Sequence, residues 1–354
     1  MEKFRRIGIL TSGGDAPGMN AAIRAVTREA LMHGVEVVGI YRGYSGLIDG
    51  DIKTFGLRDV SNIVNHGGTI LYSDRCPEFK TEPGIQKAVA TCKKFHIDGI
   101  VAIGGDGTFR GATDMTLHGI PCVGLPGTID NDIASTDHSI GFDTAMNTVI
   151  EMVDRLRDTC ESHARCSVVE VMGRNAGDIA LQTGIASGAT ATIIPEIPFE
   201  KTELFEKIHK SKAAGKRNFI VMVSEGMGPD YASTLSTEIE AETGVETRFA
   251  RLAHVVRGGS PTLRDRVMAA QMGKCAVEEL LRGNSNIVIC ERDNQIVATD
   301  IGFALALDHM YKGKLKDGDL DKFTPEQIKE MTALCEKRKK ALRDLYALAE
   351  DISL

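Results

Sequence analysis

The amino-acid sequence predicts an α/β protein with a mostly parallel sheet in each of two domains, and three observations support this. The chain has 354 residues, of which 42% are hydrophobic and 26% charged, which is typical of globular proteins and sufficient for two domains. Short apolar runs alternate with segments of helical periodicity along most of the chain. Acidic, amide and glycine residues concentrate after the apolar runs and are fewer before them. This pattern is typical of parallel sheets covered by helices on both faces, with ligands at the carboxyl edge.

Each predicted strand is a short apolar run bounded by polar residues or glycine. In chain order these runs are residues 7–10, 35–40, 98–103, 120–125, 167–172, 219–223 and 286–290. The segments between them with helical spacing are residues 19–31, 85–95, 144–157, 202–212 and 263–281. Residues 244–261 have no clear periodicity, and we interpret them as a crossing between domains. Residues 329–351 predict an amphipathic helix with a solvated basic face, to which we assign no chemistry.

Charge and cysteine usage exclude several classes of function. The formal net charge of −7 argues against sequence-independent binding of nucleic acid, which needs cationic contacts to phosphate. No apolar run approaches the roughly 18 residues of a membrane span, and the first residues lack a signal-peptide layout. The eight cysteines form no CxxC pair and no zinc-finger spacing, which predicts reduced thiols. We therefore expect a cytoplasmic protein with no nucleic-acid or membrane partner.

Two glycine-rich segments follow predicted strands. "SGGDAPGMNA" (12–21) lies between a strand and a helix, where backbone N–H groups can approach a phosphate, although a tight structural turn explains it equally well. It is neither GxGxxG nor the P-loop pattern. In "GGDGT" (104–108), Gly105 and Gly107 permit close approach of the backbone to a ligand, and Asp106 can hold Mg²⁺. Together these features suit nucleotide phosphoryl transfer.

"PGTIDND" (126–132) and "MGRNAG" (172–177) carry the remaining candidate chemistry. Asp130 and Asp132 are two residues apart and share one side of an extended segment, where one of them can accept a proton from an attacking hydroxyl. A pair of Asx turns is the structural alternative. Arg174 can stabilise charge on a transferring phosphoryl group, or it can be a surface ion-pair partner.

Further basic residues lie beside glycines or in irregular segments. They are either ordinary solvent-exposed surface residues or residues that recognise phosphate. They are Arg75, Arg165, Arg248, His254 and Arg257. Arg24 and Arg28 are four apart on the first predicted helix, and two like charges on one face cost stability unless an anion binds there.

The ordered set "LTSGGDAPGMNA", "IGGDGT", "LPGTIDNDI", "VVEVMGR", "SEG" and "RGGSP" resembles the 6-phosphofructokinase family, specifically its bacterial ATP-dependent type. The resemblance runs from about Arg6 to about Leu307. It implies transfer of the γ-phosphoryl group of ATP to the 1-hydroxyl of fructose 6-phosphate, with Mg²⁺, in glycolysis. It also implies two Rossmann-like three-layer αβα domains with the active site in the cleft between them. The first domain would comprise residues 1–141 and 256–306, and the second residues 142–255 and 307–354.

The resemblance assigns roles to individual residues of this chain. Asp130 would be the general base, with Thr128 beside the transferring group, Arg174 as the transition-state cation, Asp106 as the magnesium ligand and Asp132 in support. ATP would contact Gly13, Arg75, Cys76, Gly105, Asp106, Gly107 and Thr108. Fructose 6-phosphate would contact Thr128, Ile129, Asp130, Arg165, Met172, Gly173, Arg174, Glu225, Arg248, His254, Val255, Val256 and Arg257. Arg165 and Arg248 match residues that the family takes from a neighbouring subunit, which implies a homotetramer.

The phosphoryl donor and the effector also follow from the resemblance. Pyrophosphate-dependent relatives typically carry GGDDS and KTIDND, whereas this chain has Gly107 and Gly127 at the differing positions, which leaves room for ATP. The basic residues that match the site for ADP or phosphoenolpyruvate in bacterial members are Arg24, Arg28, Arg157 and Lys216. Thr190 stands where those members commonly have Glu, which argues against the usual activation by ADP.

Other interpretations make different predictions. A nicotinamide-dependent oxidoreductase would show GxGxxG after the first strand, and NAD kinase-like proteins lack the "PGTIDND" and "RGGSP" context. A pyrophosphate-dependent enzyme remains an alternative, as does a sugar-phosphate or nucleotide sensor on the same fold. A sensor would have lost catalytic groups such as Asp106, Asp130 and Arg174, which are all present.

Overall fold

The computed structural model describes residues 4–353. The strands are β1 (Arg6–Ser12), β2 (Glu36–Ile40), β3 (Ile52–Phe55), β4 (Gly99–Gly104), β5 (Cys122–Pro126), β6 (Cys166–Val171), β7 (Ala191–Ile193), β8 (Phe219–Ser224), β9 (Thr247–Arg251), β10 (Ile287–Arg292) and β11 (Gln295–Asp300). The helices are α1 (Met19–Met32), α2 (Gly43–Asp49), α3 (Glu82–Lys94), α4 (Asp106–Leu117), α5 (Phe142–His163), α6 (Asp178–Ala186), α7 (Lys201–Ala213), α8 (Tyr231–Thr243), α9 (Leu263–Arg282), α10 (Ile301–Tyr311) and α11 (Pro325–Asp351).

The chain forms two compact units, each built from several stretches of sequence. Unit 1 contains residues up to 129, 133–144 and 257–335, and unit 2 contains residues 130–132, 145–256 and those from 336 onward. This division differs from the predicted domains in two segments. Residues 307–335 belong to unit 1 because Leu307, Met331 and Cys335 share a buried cluster there. Residues 130–132 belong to unit 2, where Arg174 contacts both carboxylates.

Unit 1 is built on a seven-stranded sheet of order β11-β10-β5-β4-β1-β2-β3. Its central strands are parallel, and antiparallel pairings occur between β2 and β3 and between β10 and β11. The register places Ser12 beside Gly104 and Gly104 beside Pro126. The loops that leave β1, β4 and β5 therefore start side by side at one edge of the sheet.

Close packing between helices α1 and α9 helps to hold unit 1 together. A Cβ added to Gly273 of α9 would lie 2.9 Å from the Ala25 side chain and 3.1 Å from the Ala22 carbonyl oxygen. The interior strands are mostly apolar, and Ile9, Leu10 and Val101 are fully buried. Because both sheet faces are covered, these strands read as continuous apolar runs in the sequence.

Unit 2 is built on a four-stranded, fully parallel sheet of order β7-β8-β6-β9. Val171 at the end of β6 pairs with Ser224 at the end of β8, so the loops after these two strands are neighbours. Strand β9 lies in the segment for which no regular structure was predicted. The sequence carries no strand signal there because β9 has one large apolar residue, Phe249, which is only partly buried.

All seven predicted strands and all five predicted helices have counterparts in the structure, as does the helix predicted over residues 329–351. The α/β fold with mostly parallel sheets is confirmed. The eight cysteines are free thiols. Within residues 4–353, no helix is both long and apolar enough to span a membrane.

Candidate functional site

The loop after β1 begins the candidate site of unit 1. Gly13 has a left-handed φ of +88°, and its carbonyl oxygen accepts a hydrogen bond of 2.5 Å from the Ser73 hydroxyl. The Arg257 guanidinium donates to the Asp15 carbonyl oxygen at 3.2 Å. A Cβ on Gly14 would lie 2.7 Å from the Arg257 Nη1 atom, so glycine lets this side chain approach. Arg257, predicted as a sugar-phosphate contact, thus lies against the glycine-rich loop.

The start of α4 is tied to the same edge. The Thr108 hydroxyl donates to the Ser12 carbonyl oxygen at 3.1 Å, and the Tyr44 hydroxyl donates to the Thr108 carbonyl oxygen at 2.7 Å. Apart from the adjacent residues and the backbone of α4 itself, no atom of the described chain lies within 4 Å of a Cβ built on Gly105 or Gly107. Protein packing therefore does not require glycine at these two positions. The open N-terminus of α4 presents backbone N–H groups and a helix dipole, a combination that binds phosphate.

Asp106 is the first residue of α4 and the predicted magnesium ligand. Its side chain is 29% exposed, and the nearest cation is the Arg110 guanidinium at 3.9 Å. Across residues 4–353, no three His, Cys, Asp or Glu side chains are grouped as a metal site. A single accessible carboxylate beside an open helix N-terminus fits Mg²⁺, which keeps waters and is usually shared with substrate phosphates.

The other predicted nucleotide and catalytic residues of unit 1 differ in exposure. Arg75 is exposed, whereas Cys76 packs partly against the core of the unit. Thr128 and Ile129 follow β5 and are buried. The Thr128 carbonyl oxygen accepts a hydrogen bond of 2.6 Å from the Ser139 hydroxyl, which fixes the backbone just before Asp130.

The central feature of unit 2 is an ion pair between Asp130 and Arg174. The Nε atom of Arg174 lies 3.0 Å from the Asp130 carboxylate, and its Nη1 atom lies 3.9 Å from the Asp132 carboxylate. The Asp130 side chain is 1% exposed, whereas the Arg174 side chain is 58% exposed. A buried acid is thus paired with a cation that has room to move.

The backbone at Arg174 is held by Glu225. One carboxylate oxygen of Glu225 accepts from the Gly173 and Arg174 backbone N–H groups, at 3.1 and 2.8 Å. Both residues have positive φ, +142° and +54°. A Cβ on Gly226 would lie 2.6 Å from the Arg174 carbonyl oxygen, so the loops after β6 and β8 approach closely. The structure therefore brings together Gly173, Arg174 and Glu225, three predicted substrate residues.

Arg165 and Arg248, the residues predicted to act on a neighbouring subunit, share one partner in this chain. Arg165 lies 2.8 Å from the Glu246 carboxylate, and Arg248 donates to the same carboxylate. The hydrogen bond from Arg165 is the main cause that lowers the pKa of Glu246. The two arginines are thus held together as one basic cluster.

The remaining predicted substrate residues lie after β6 and β9. Met172 directly follows β6, and residues 253–257 form a short 3₁₀ helix. His254 and Val255 are exposed in this turn. The Val256 side chain is fully buried, which leaves only its backbone for a ligand contact.

The predicted effector residues divide between the two units. Arg24 and Arg28 are half-buried on α1 in unit 1. In unit 2, Arg157 donates to the Ser187 carbonyl and, at 3.1 Å, to the Asn218 side chain. Burial, followed by the charges of Arg157 and Lys207, lowers the pKa of Lys216. Arg157, Lys207 and Lys216 therefore lie near one another in unit 2.

Sequence reasoning missed Arg338, on α11. Its guanidinium donates to the carbonyl oxygen of Asn131, between the two carboxylates of the "PGTIDND" segment. Nothing in the basic repeat around Arg338 distinguishes it from its neighbours, so no sequence signal marked this contact.

Comparison with known proteins gives concordant results. The sequence pattern of the family described as "Phosphofructokinase" matches residues 6–280. The chain is 52% identical to an "ATP-dependent 6-phosphofructokinase" of Halalkalibacterium halodurans and 51% identical to one of Bacillus subtilis. Each alignment covers 306 residues, 86% of this chain and 95% of the relative. A solved phosphofructokinase structure from Saccharomyces cerevisiae has a TM-score of 0.82 and 33% identity, over 93% of this chain and 49% of that one. This chain thus spans about half the length of the yeast protein.

Proposed function

Since the chain belongs to the phosphofructokinase family, we propose that it transfers the γ-phosphoryl group of ATP to the 1-hydroxyl of fructose 6-phosphate at the candidate site described above. The reaction is that of ATP-dependent 6-phosphofructokinases, which yields fructose 1,6-bisphosphate and ADP in glycolysis. We assign ATP binding to unit 1 and fructose 6-phosphate binding mainly to unit 2. The observation that carries the mechanism is the pairing of buried Asp130 with exposed Arg174.

Asp130 acts as the general base. A carboxylate within hydrogen-bond reach of the 1-hydroxyl accepts its proton as the oxygen attacks the γ-phosphorus. Thr128, two residues earlier, lies beside the transferring group.

Arg174 acts as the cation on the transferring phosphoryl group. Its side chain pairs with Asp130, and its exposure lets it turn toward an incoming phosphate. A guanidinium aimed at developing negative charge stabilises the transition state in other phosphoryl transferases. Glu225 keeps the Arg174 backbone in place while the side chain moves.

The triphosphate binds between the loop after β1 and the N-terminus of α4. Gly13, Gly105, Gly107 and Thr108 supply close backbone and side-chain contacts. Mg²⁺ would be held by Asp106 with phosphate oxygens, and when bound it offsets the negative charge of the phosphates.

Gly107 supports ATP rather than pyrophosphate as the donor. A side chain at this position would enter open space, so its absence has no cause in the protein's own packing. Gly127 is different, because its Cβ would lie 3.0 Å from the Ile103 and Met19 side chains, which explains glycine without a ligand. Of the two glycines, Gly107 is therefore the one that supports ATP as the phosphoryl donor.

The sugar-phosphate site and the quaternary structure follow from the resemblance to the family. We propose that Met172, Gly173, Glu225, His254 and Arg257 bind fructose 6-phosphate within one subunit. Arg165 and Arg248 would reach the site of a neighbouring subunit in a cytoplasmic homotetramer. Their shared partner, Glu246, orients both guanidinium groups.

A regulatory anion, ADP or phosphoenolpyruvate, would bind at the effector residues. Arg157 and Lys216 form a cationic cluster that suits phosphate. Thr190 is buried, and its hydroxyl has no hydrogen-bond partner within residues 4–353. A neutral residue at this place supplies no carboxylate for a metal carried by ADP.

A coupled assay of fructose 1,6-bisphosphate formation tests the proposal. Purified protein is given fructose 6-phosphate and Mg²⁺ with either ATP or pyrophosphate, and the ATP reaction is repeated with ADP or phosphoenolpyruvate. We expect product with ATP alone as the donor. Product only with pyrophosphate would contradict the donor assignment, and no product with either donor would contradict the activity.

A further inference from the structure

We propose that Arg338 is a positioning residue that clamps the backbone of residues 130–132 and keeps Asp130 in place during phosphoryl transfer. The proposal rests on the role of Asp130 given above. Residues 130–132 and the second part of α11 belong to the same compact unit, although about 200 residues separate them in sequence.

The contact lies at the centre of the segment. Arg338 donates to the carbonyl oxygen of Asn131, the residue between the two carboxylates. Asn131 is 2% exposed and has a left-handed φ of +50°. Asparagine adopts this conformation more readily than most non-glycine residues. A hydrogen bond from a charged guanidinium is among the stronger restraints on the backbone there.

Arg338 is itself held in place. Burial raises the pKa of Glu196, and the positive charge of Arg338 is the smallest of the effects that oppose this rise. Glu196 in turn accepts a hydrogen bond of 2.8 Å from the Gly177 N–H group at the start of α6. One turn beyond Arg338, Leu342 is buried. Near the end of α11, Lys207 contacts both Glu350 and Ser353. The helix that carries Arg338 is therefore anchored along this part.

A backbone clamp matters because the Asp130–Arg174 pair has to open. In the proposed mechanism Arg174, whose side chain is 58% exposed, turns from Asp130 toward the phosphoryl group. When Arg174 turns away, the contact from Arg338 is unaffected, because it is made to the backbone. Arg338 thus holds Asp130 in position independently of the movement of the Arg174 side chain.

The test compares kcat and KM of substitutions on one helix. R338M keeps an unbranched, flexible side chain but removes the donor, R338K restores one charged donor, and R343M changes an exposed arginine of α11 as the control. A misplacement of about 1 Å can cost about 100-fold in rate. We expect kcat of R338M to fall about 10- to 100-fold with KM for ATP changed less than about threefold, R338K to be intermediate, and R343M to match the wild type.

Two results would overturn the proposal. One is a kcat of R338M within about twofold of that of R343M. The other is an equal loss in R338K and R338M together with a lowered melting temperature, which would indicate a purely structural role. If R338M does not fold, R338A is compared with R343A, and a kcat of R338A within about twofold of that of R343A overturns the clamp. An inactive wild-type protein would instead contradict the proposed function itself.

Discussion

Asp265 gives a pH-dependent prediction that can be worked out from the structure. Its carboxylate is fully buried at the start of α9 and accepts hydrogen bonds from the Gly141 N–H, the Thr144 N–H and the Thr144 hydroxyl, at 2.9, 2.9 and 2.5 Å. Burial raises its pKa from 3.8 to about 6, against the opposing effect of these hydrogen bonds. The perturbation is Asp265→Asn, which is nearly isosteric and cannot ionise.

The magnitude follows from the difference in proton affinity between the folded and unfolded chain. The folded protein keeps the Asp265 proton to a higher pH, so the stability contributed by this group is greatest below about pH 4 and falls as pH rises through about 6. A shift of about two pKa units corresponds to about 3 kcal/mol. In D265N the amide cannot accept all three hydrogen bonds, which costs about 1–3 kcal/mol at every pH.

The free energy of unfolding of wild type and D265N is measured by guanidinium chloride titration between pH 4 and pH 7.5. We expect the advantage of the wild type over D265N to shrink by about 3 kcal/mol across this range, because only the wild type acquires a buried charge. Asp154 is exposed on α5, and D154N should change stability by less than about 0.5 kcal/mol throughout. A difference between wild type and D265N that stays constant to within about 0.5 kcal/mol would refute the reasoning.

Two further substitutions separate packing from ligand binding. G107D places a carboxylate in open space, so the melting temperature should be unchanged, while repulsion of the phosphates raises KM for ATP by roughly tenfold or more; an unchanged KM would place the triphosphate elsewhere. E225A removes the acceptor for the Gly173 and Arg174 N–H groups, and kcat/KM for fructose 6-phosphate should fall roughly 10- to 100-fold with KM for ATP nearly constant. Equal losses for both substrates would mean that Glu225 acts only on the fold.

The parallel strands could be predicted from sequence because burial on both faces leaves continuous apolar runs. Strands such as β3 and β9 could not, since an edge strand has few apolar residues and is recognised only by its pairing. Helix α4 was not predicted because it begins within the glycine-rich "GGDGT" segment, which is typical of a loop. Its helical start depends on hydrogen bonds from residues far away in sequence, such as Tyr44.

The candidate site was predictable where one residue type in one loop suggests one chemistry, as for Asp106, Asp130 and Arg174. It was not predictable where a role depends on a long-range contact. Arg338 resembles its basic neighbours in sequence and is distinguished only by its bond to Asn131. Gly127 looked like a donor determinant, and only its distances to Ile103 and Met19 revealed a packing reason for glycine.

Asp130→Ser is the most direct test of the central claim, which is that Asp130 is the base of an ATP-dependent sugar kinase. Steady-state kcat for fructose 6-phosphate is measured for wild type and variant, together with ATP affinity by direct titration. We predict a kcat lower by about 10²- to 10⁴-fold, the usual effect of losing a general base, with ATP affinity nearly unchanged. A variant that turns over at close to the wild-type rate would contradict the account.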